Sequence, residues 1–449
     1  MTDTAVVTPA PGKPLLLLGA FDVGSLGYVT EEFFISGTAS SYSPTGELSP
    51  DGRWSGTPSG TADYTTRIVV LTPVDRTRFN GTVLVEWLNV SGGIDAPALW
   101  MMAHREILRA GYAYVAVSAQ RVGVEGGASL LGIDMSLKSQ DPRRYASLRH
   151  PGDAFAYDIF SQIGGLVRNA GSVLQELPVR HVIAVGESQS AMFLTTYINA
   201  VDPLAQSYDG FVVHSRFASA APLDDSSIFE EEQTSVPQAV RFRDDLRVPL
   251  ITIITETDLF GGVRYGYYFA RQPDNQRLRV WELPGAAHAD NYTIQVAPID
   301  SGSAPLDDIV AAYAPTNMLM GQQLGHCINF APQHHYVVQA ALAALHQWVR
   351  TGEPAPTAPP IKLREADPPQ PILDSNGLAQ DGVRTPWVDV PIARTSGLGD
   401  EESIMSAIFG SGELFDAATL GRLYPGGAKE YLFRFTTALD TAIQSGFIV

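Results

Sequence analysis

An α/β fold is predicted: one mostly parallel, doubly wound sheet with helices on both faces. Three observations predict it. Short, almost wholly apolar runs recur between residues 81 and 285, and strands buried on both faces read this way. Segments with helical spacing separate several of these runs, the pattern of strands joined by crossover helices. No repeat of 20–50 residues is visible, which removes solenoids and propellers.

The elements follow in order. Residues 1–80 read as a β-rich extension joined to the core. Within it LLLLGAF (15–21) is the expected first strand or its approach. Only one basic residue, Lys13, stands close before this run, so it does not read as a secretory leader. FFISGTAS (33–40) and TTRIVVLTP (65–73) are rich in β-formers, and SPTGELSPDG (43–52) between them carries turn residues. The core is expected over 81–350. GTVLVEWLN (81–89) is an apolar strand followed by the loop Val90-Ser91-Gly92-Gly93. Residues 97–110 have helical spacing, with Leu99, Met102, Ala103 and Ile107 on one face and Gly111 placed to end the helix. The strand YAYVAVSAQ (112–120) follows, then a helix through AFAYDIFSQIGGLVR (154–168). Four more strands are expected at VIAVG (182–186), FVVHS (211–215), LITIITE (250–256) and VWELPG (280–285). Segments 216–248 and 289–335 interrupt the alternation and are the candidate cap or lid insertions. The amphipathic HHYVVQAALAALHQWVRTG (334–352) closes the core, and PAPTAPP (354–360) reads as a stiff connector. Residues 351–449 form a C-terminal extension, and its Trp387, Phe409 and Tyr431 predict that it packs on the body.

Composition narrows the function. At 449 residues the chain holds two domains or one enlarged domain. Cys327 is the single cysteine, which excludes disulfide frameworks, zinc ribbons and thioredoxin-like pairs. With 30 Lys and Arg against 48 Asp and Glu, the net charge is −18. Such a field repels nucleic acid and anionic membrane surfaces, and no apolar stretch reaches the roughly 20 residues of a membrane span. The expectation is a cytoplasmic enzyme or small-molecule binder. The acidic runs 224–225, 230–232 and 400–402 read as solvated faces.

The sharpest motif is RHVIAVGESQSAMFLTTYINAV. An apolar strand enters Gly186-Glu187-Ser188-Gln189-Ser190 and leaves as a helix, the setting of a strand-to-helix turn that presents a serine nucleophile. A tight turn needs small residues two positions either side of the serine. Gly186 meets that need fully and Ser190 less well. The nucleophile needs a base, and the base an orienting carboxylate. In doubly wound folds of this kind they follow in the order serine, acid, histidine. LITIITETDLFG supplies Glu256 and Asp258, and VWELPGAAHAD supplies His288, each just past a strand end, the edge at which open α/β sheets collect ligands. Asp258 is the favoured acid and Glu256 the alternative. Expected oxyanion donors are the amide of Gln189 and those of Val90 and Ser91, with Gly92-Gly93 either letting the backbone come close or serving only as a flexible link.

Other features carry less. His334-His335 diverge as helical neighbours and have no third ligand, so no metal is assigned. His104, His181, His214 and His346 read as structural. Glycine pairs lack dinucleotide-loop spacing. Trp87, Phe193 and Phe260 fit an apolar substrate pocket or plain core packing equally.

Taken together, VEWLNVSGG, GYAYVAVSAQ, HPGDAFAYDIFSQIG, VGESQSA, TETD, GAAHAD, AALHQWVRTGEPAP and GVRTPWVDVPIAR resemble the α/β-hydrolase superfamily. Within it they are similar to a bacterial group of large esterase-like alpha/beta hydrolase domain proteins, over most of residues 20–440. The resemblance implies the α/β-hydrolase fold, Ser188 as nucleophile, His288 as base and an acid from TETD. It also implies that serine is usual at position 190. The expected activity is hydrolysis of a small apolar carboxylic ester or lactone through an acyl-enzyme, with no metal or organic cofactor. The rivals are an acyltransferase with the same three residues and a non-catalytic binding protein of the same fold.

Overall fold

The computed structural model describes residues 5–169, 173–229, 235–262, 264–399 and 403–449. The acidic triplets 230–232 and 400–402 lie outside the described residues, whereas Asp224 and Asp225 are exposed. Nine strands form one sheet: β1 (Val6–Pro9), β2 (Tyr28–Pro44), β3 (Gly56–Pro73), β4 (Thr82–Trp87), β5 (Ala113–Val117), β6 (His181–Glu187), β7 (Gly210–His214), β8 (Leu250–Thr255) and β9 (Leu278–Leu283). Their order is β1-β2-β3-β5-β4-β6-β7-β8-β9. Strands β5 to β9 run parallel. The first three join antiparallel at one edge, so the N-terminal residues prolong the same sheet.

The apolar runs form strands because helices cover both faces. Val83, Val85, Trp87, Val182 and Ala184 point into one core layer; Leu84, Ile183 and Val185, one residue out of step, point into the other. Two-residue alternation places successive side chains on opposite faces. Helices α1 (Ala98–Ala110) and α4 (Gln333–Thr351) cover the second layer. Helices α2 (Ala156–Arg168) and α3 (Gln189–Thr196) cover the first. Gly111 ends α1 in the left-handed region at φ 77°.

One expectation is corrected. Residues 15–21 form no strand. Their carbonyls accept from side chains instead, Leu15 O from Arg67 and Leu18 O from Trp100, while Leu16, Leu18 and Phe21 pack on the core. The Pro-rich 354–360 segment, expected as a stiff connector, is held against β9, where Arg279 and Trp281 donate to Ala355 O and Pro356 O. The C-terminal extension returns to the body. Trp387 stacks on Tyr336 of α4 at 5.3 Å and meets Phe435 of α5 (Gly427–Gln444) edge-on. Phe409 is buried against Leu319 and Ile328. Among the described residues, no helix is long and apolar enough to cross a membrane.

Candidate active site

Three loops leave the same C-terminal edge of the sheet, those after β6, β8 and β9, with β7 standing between the first two. The first carries Ser188. Its backbone sits at φ 54° and ψ −114°, a conformation costing about 1–3 kcal/mol unless its surroundings enforce it. They do. Ser188 N donates to His214 O, prolonging the β6–β7 ladder. A Cβ on Gly186 would lie 2.8 Å from Ser190 O, so only glycine fits there. Ser190 is better suited than its size suggests: its hydroxyl accepts from Glu187 N at 3.0 Å and donates to Glu187 O at 2.8 Å. The side chain thus ties the turn across the serine.

Asp258 stands in the short helix Glu256–Phe260 after β8. Thr255 and Asp258 form a capping box there. Asp258 Oδ2 accepts from Thr255 N and Thr255 Oγ1, at 2.8 and 2.7 Å. That leaves Oδ1 aimed at His288 Nδ1, 2.6 Å away. His288 Nε2 lies 2.8 Å from Ser188 Oγ. The imidazole is further held by Thr257 Oγ1, which accepts from His288 N at 3.1 Å, and by Phe217 stacked on it at 5.3 Å. Burial disfavours the imidazolium, but the Asp258 carboxylate and then Glu187 outweigh it and raise the His288 pKa.

Glu256 turns away from the histidine. Its oxygens accept from Gly285 N at 2.6 Å and from Ser396 Oγ and Gly397 N at 2.8 Å. It therefore pins the β9 exit and the C-terminal extension to β8. Burial raises its pKa against those donors.

The expected oxyanion donors divide. Gln189 N opens α3, where first-turn amides lack intrahelical acceptors. Val90 N is already engaged, donating to Gln189 Oε1 at 3.2 Å. Ser91 N donates to Asn89 Oδ1 at 2.8 Å. Both amides thus hold side chains of the site itself. Gly93, at φ 71°, closes on Ile133 O, 1.9 Å from where a Cβ would stand. Its close approach is to its own chain.

A cavity of about 460 Å³ opens over Ser188 and His288, with walls that include Ser91, Gln189, Met192, Phe217 and Phe229. Residues 216–229 and the short helix Ile404–Phe409 contribute to it. Trp87 and Phe193 are fully buried against Tyr157 and are not among the residues lining the cavity over Ser188. Phe260 lines a neighbouring groove of about 880 Å³ that contains neither Ser188 nor His288.

With this geometry in view, the comparisons with known proteins can be stated. A family described as alpha/beta hydrolase domain matches residues 4–449. The chain belongs to that family. No curated protein matches its sequence. Solved structures similar to this alpha/beta hydrolase include a Rhizomucor miehei fungal esterase at 11% identity, covering 70% of this chain and 85% of its own, with TM-score 0.31. A glucuronoyl esterase from Solibacter usitatus is 10% identical over 63% of this chain and 81% of its own, TM-score 0.31. A Pyrococcus furiosus esterase is 10% identical over 60% and 87%, TM-score 0.32.

Sequence reasoning passed over two acidic residues of this alpha/beta hydrolase. Glu187 Oε1 lies 3.6 Å from His288 Nε2, and its Oε2 accepts from Asn89 Nδ2 at 2.9 Å. Burial pushes its pKa up to about 7, against His288 and Asn89. Glu86, next to last in β4, accepts from Leu99 N, Trp100 N and Tyr114 Oη. It serves the start of α1, where Pro97 offers no side-chain cap. Burial pushes its pKa up to about 8. A carboxylate amid apolar residues at a strand end was the available signal for both.

The remaining histidines are mostly buried and paired. His214 and His334 meet Nε2 to Nε2 at 2.7 Å, His104 contacts Trp100 O and Asp300 O, and His346 contacts Thr82 Oγ1. His335 stacks on Tyr292. Among the described residues, no three His, Cys, Asp or Glu side chains converge as a metal site. Cys327 lines a separate depression beside His326 and Arg394.

Proposed function

We propose that this alpha/beta hydrolase cleaves carboxylic esters, linear or cyclic, with Ser188 as nucleophile, His288 as base and Asp258 as the orienting acid. The reading rests on one observation above all: the unbroken line from Ser188 Oγ through the His288 ring to Asp258 Oδ1, with steps of 2.8 and 2.6 Å. As Ser188 Oγ attacks the carbonyl carbon, His288 Nε2 takes its proton, and Asp258 stabilises the resulting imidazolium. The oxyanion receives the Gln189 amide. Ser91 N, whose residue borders the cavity, is the second donor if it exchanges Asn89 Oδ1 for the oxyanion. Val90 N stays on Gln189. The protonated His288 then donates to the leaving alcohol oxygen, giving an acyl-enzyme. Water attacks that ester with His288 again as base, and the tetrahedral intermediate releases the acid and Ser188. In a lactone the alcohol stays tethered, and a single hydroxy acid leaves.

The test is covalent. A fluorophosphonate probe should label the protein at Ser188, and a short 4-nitrophenyl ester should be turned over. Ser188→Ala should abolish labelling and lower kcat by roughly 10⁴-fold or more. Labelling or turnover that survives the substitution removes the proposal.

A further inference from the structure

Among the described residues lining the cavity above Ser188, one carries a permanent charge, Arg264. It follows Gly261-Gly262, the loop that leaves the Asp258 helix, so the segment that brings the acid to His288 also brings a cation to the cavity. Its surroundings do not neutralise it. Among the described residues, Nη2 donates to Ile228 O at 2.9 Å, and the guanidinium lies 5.9 Å from the Phe229 ring. Among the described residues no carboxylate forms an ion pair with it, and burial lowers its pKa with no acidic neighbour of that set countering the shift.

Buried Arg216 likewise has no carboxylate partner among the described residues, but the carbonyls of Phe217, Ala218 and Val240 accept from it. Buried Arg67 is paired with Asp95, and Arg144 and Arg271 are paired with Glu32 and Glu282. Arginine stays charged in any protein environment, and a half-buried cation without a counter-ion is costly. Its guanidinium carries five N–H donors in a planar fork suited to a carboxylate, and one bond to a carbonyl leaves most of the fork open. Apolar walls from Met192, Phe217, Phe229 and Ile408 strengthen any charge pairing inside.

We propose that Arg264 selects esters that themselves carry a carboxylate, which pairs with its guanidinium while the ester carbonyl lies at Ser188. The inference rests on the hydrolase reading and adds a substrate class to it. It replaces the expectation of a wholly apolar substrate. It also gives meaning to the charge of the molecule: in a protein of net charge −18, an anionic substrate needs a local cation to be held.

Two matched pairs of esters test it, one with the carboxylate on the acyl side and one on the alcohol side. They are mono-4-nitrophenyl adipate against 4-nitrophenyl hexanoate, and 3-acetoxybenzoate against 3-acetoxybenzamide. The unmodified enzyme should favour the anionic member of at least one pair by about tenfold or more in kcat/KM, and added salt should reduce that ratio. Arg264→Gln should bring the ratio towards one, and Arg264→Lys should retain part of it. Fluorophosphonate labelling of Ser188 in each variant reports a folded site. Equal turnover within both pairs by the unmodified enzyme overturns the inference without any variant, and so does a preference that persists in Arg264→Gln. Absence of both labelling and turnover in the unmodified enzyme would instead sink the hydrolase reading beneath it.

Discussion

Asp258 and Glu256 are two residues apart, both buried and both ionisable, yet their hydrogen bonds assign them different work. Asp258 gives one oxygen to the Thr255 cap and the other to His288. Glu256 spends both on the loops holding Gly285 and Gly397. Asp258→Asn should therefore lower kcat by about 10⁴-fold at neutral pH with little change in Tm. Glu256→Gln should lower Tm and leave most of kcat in the folded fraction. Thermal melts beside ester turnover check this, and a reversed pattern would exchange the roles. Glu187 makes a separate prediction. It faces the reacting nitrogen of His288 and helps to raise that histidine's pKa. Only neutral His288 can accept the Ser188 proton, so kcat/KM should rise with pH through a midpoint above the ordinary histidine value of 6.5. Glu187→Gln removes the negative charge that favours imidazolium, so the midpoint should move down. A pH–rate profile with an unmoved midpoint would show that Glu187 is not coupled to the base. TETD allowed a preference for Asp258 over Glu256 but showed neither the partners of Glu256 nor, in GES, the position of Glu187, because neighbours in sequence point to different elements in space.

At the scale of the element, the turn after β6 was legible and its reinforcement was not. An apolar strand running into Gly-x-Ser and on into a helix is a local pattern, and local patterns survive in sequence. That Ser190 bonds both polar backbone atoms of Glu187 depends on dihedral angles no residue type announces. Ser190→Ala should cost about 1 kcal/mol of stability and reduce turnover, since the two bonds hold the strained Ser188. Gly186→Ala should cost more, because its Cβ would press on Ser190 backbone rather than on a yielding side chain. Chemical denaturation of both variants tests the ranking; a harmless Gly186→Ala would show that the turn relaxes freely. The same distinction explains residues 15–21. Leu16, Leu18 and Phe21 pack partly buried on the core while Leu15 and Leu17 stay exposed; a strand also needs a neighbouring edge, and Arg67 and Trp100 bond the carbonyls of Leu15 and Leu18 instead. Val90 and Ser91 fall in the same class: backbone amides leave no mark in sequence, so their engagement by Gln189 and Asn89 had to be seen.

For the whole molecule, the parallel sheet was readable because every strand from β4 to β9 is apolar on both faces, whereas the order of strands and the return of the tail depend on long-range packing. Those buried layers also enclose ionisable groups, and their titration sets a pH dependence for the entire fold. Burial raises Glu86 to about 8, Glu187 to about 7 and Asp290 to about 6. Each binds a proton in the folded state that the unfolded chain has already lost, so stability falls as pH rises from the ordinary carboxylate range through these values. Burial also lowers His214, His334 and His335, with His334 near 4. There the unfolded chain binds the proton first, so stability falls as pH drops below about 6.5. The two sets oppose each other between the carboxylate range and pH 6.5, and above that only the carboxyl groups still titrate. Tm should therefore vary little between pH 5 and pH 6.5 and decline from there towards pH 8.5. The alkaline decline should steepen at low salt, where the net charge of −18 repels itself most strongly. Glu86→Gln cannot ionise, so it should flatten the alkaline decline and, with one opposing carboxyl removed, make Tm rise with pH between 5 and 6.5. A Tm that climbs from pH 6.5 to 8.5, or a Glu86→Gln profile parallel to that of the unmodified protein, would mean that these carboxyl groups are already ionised inside the fold.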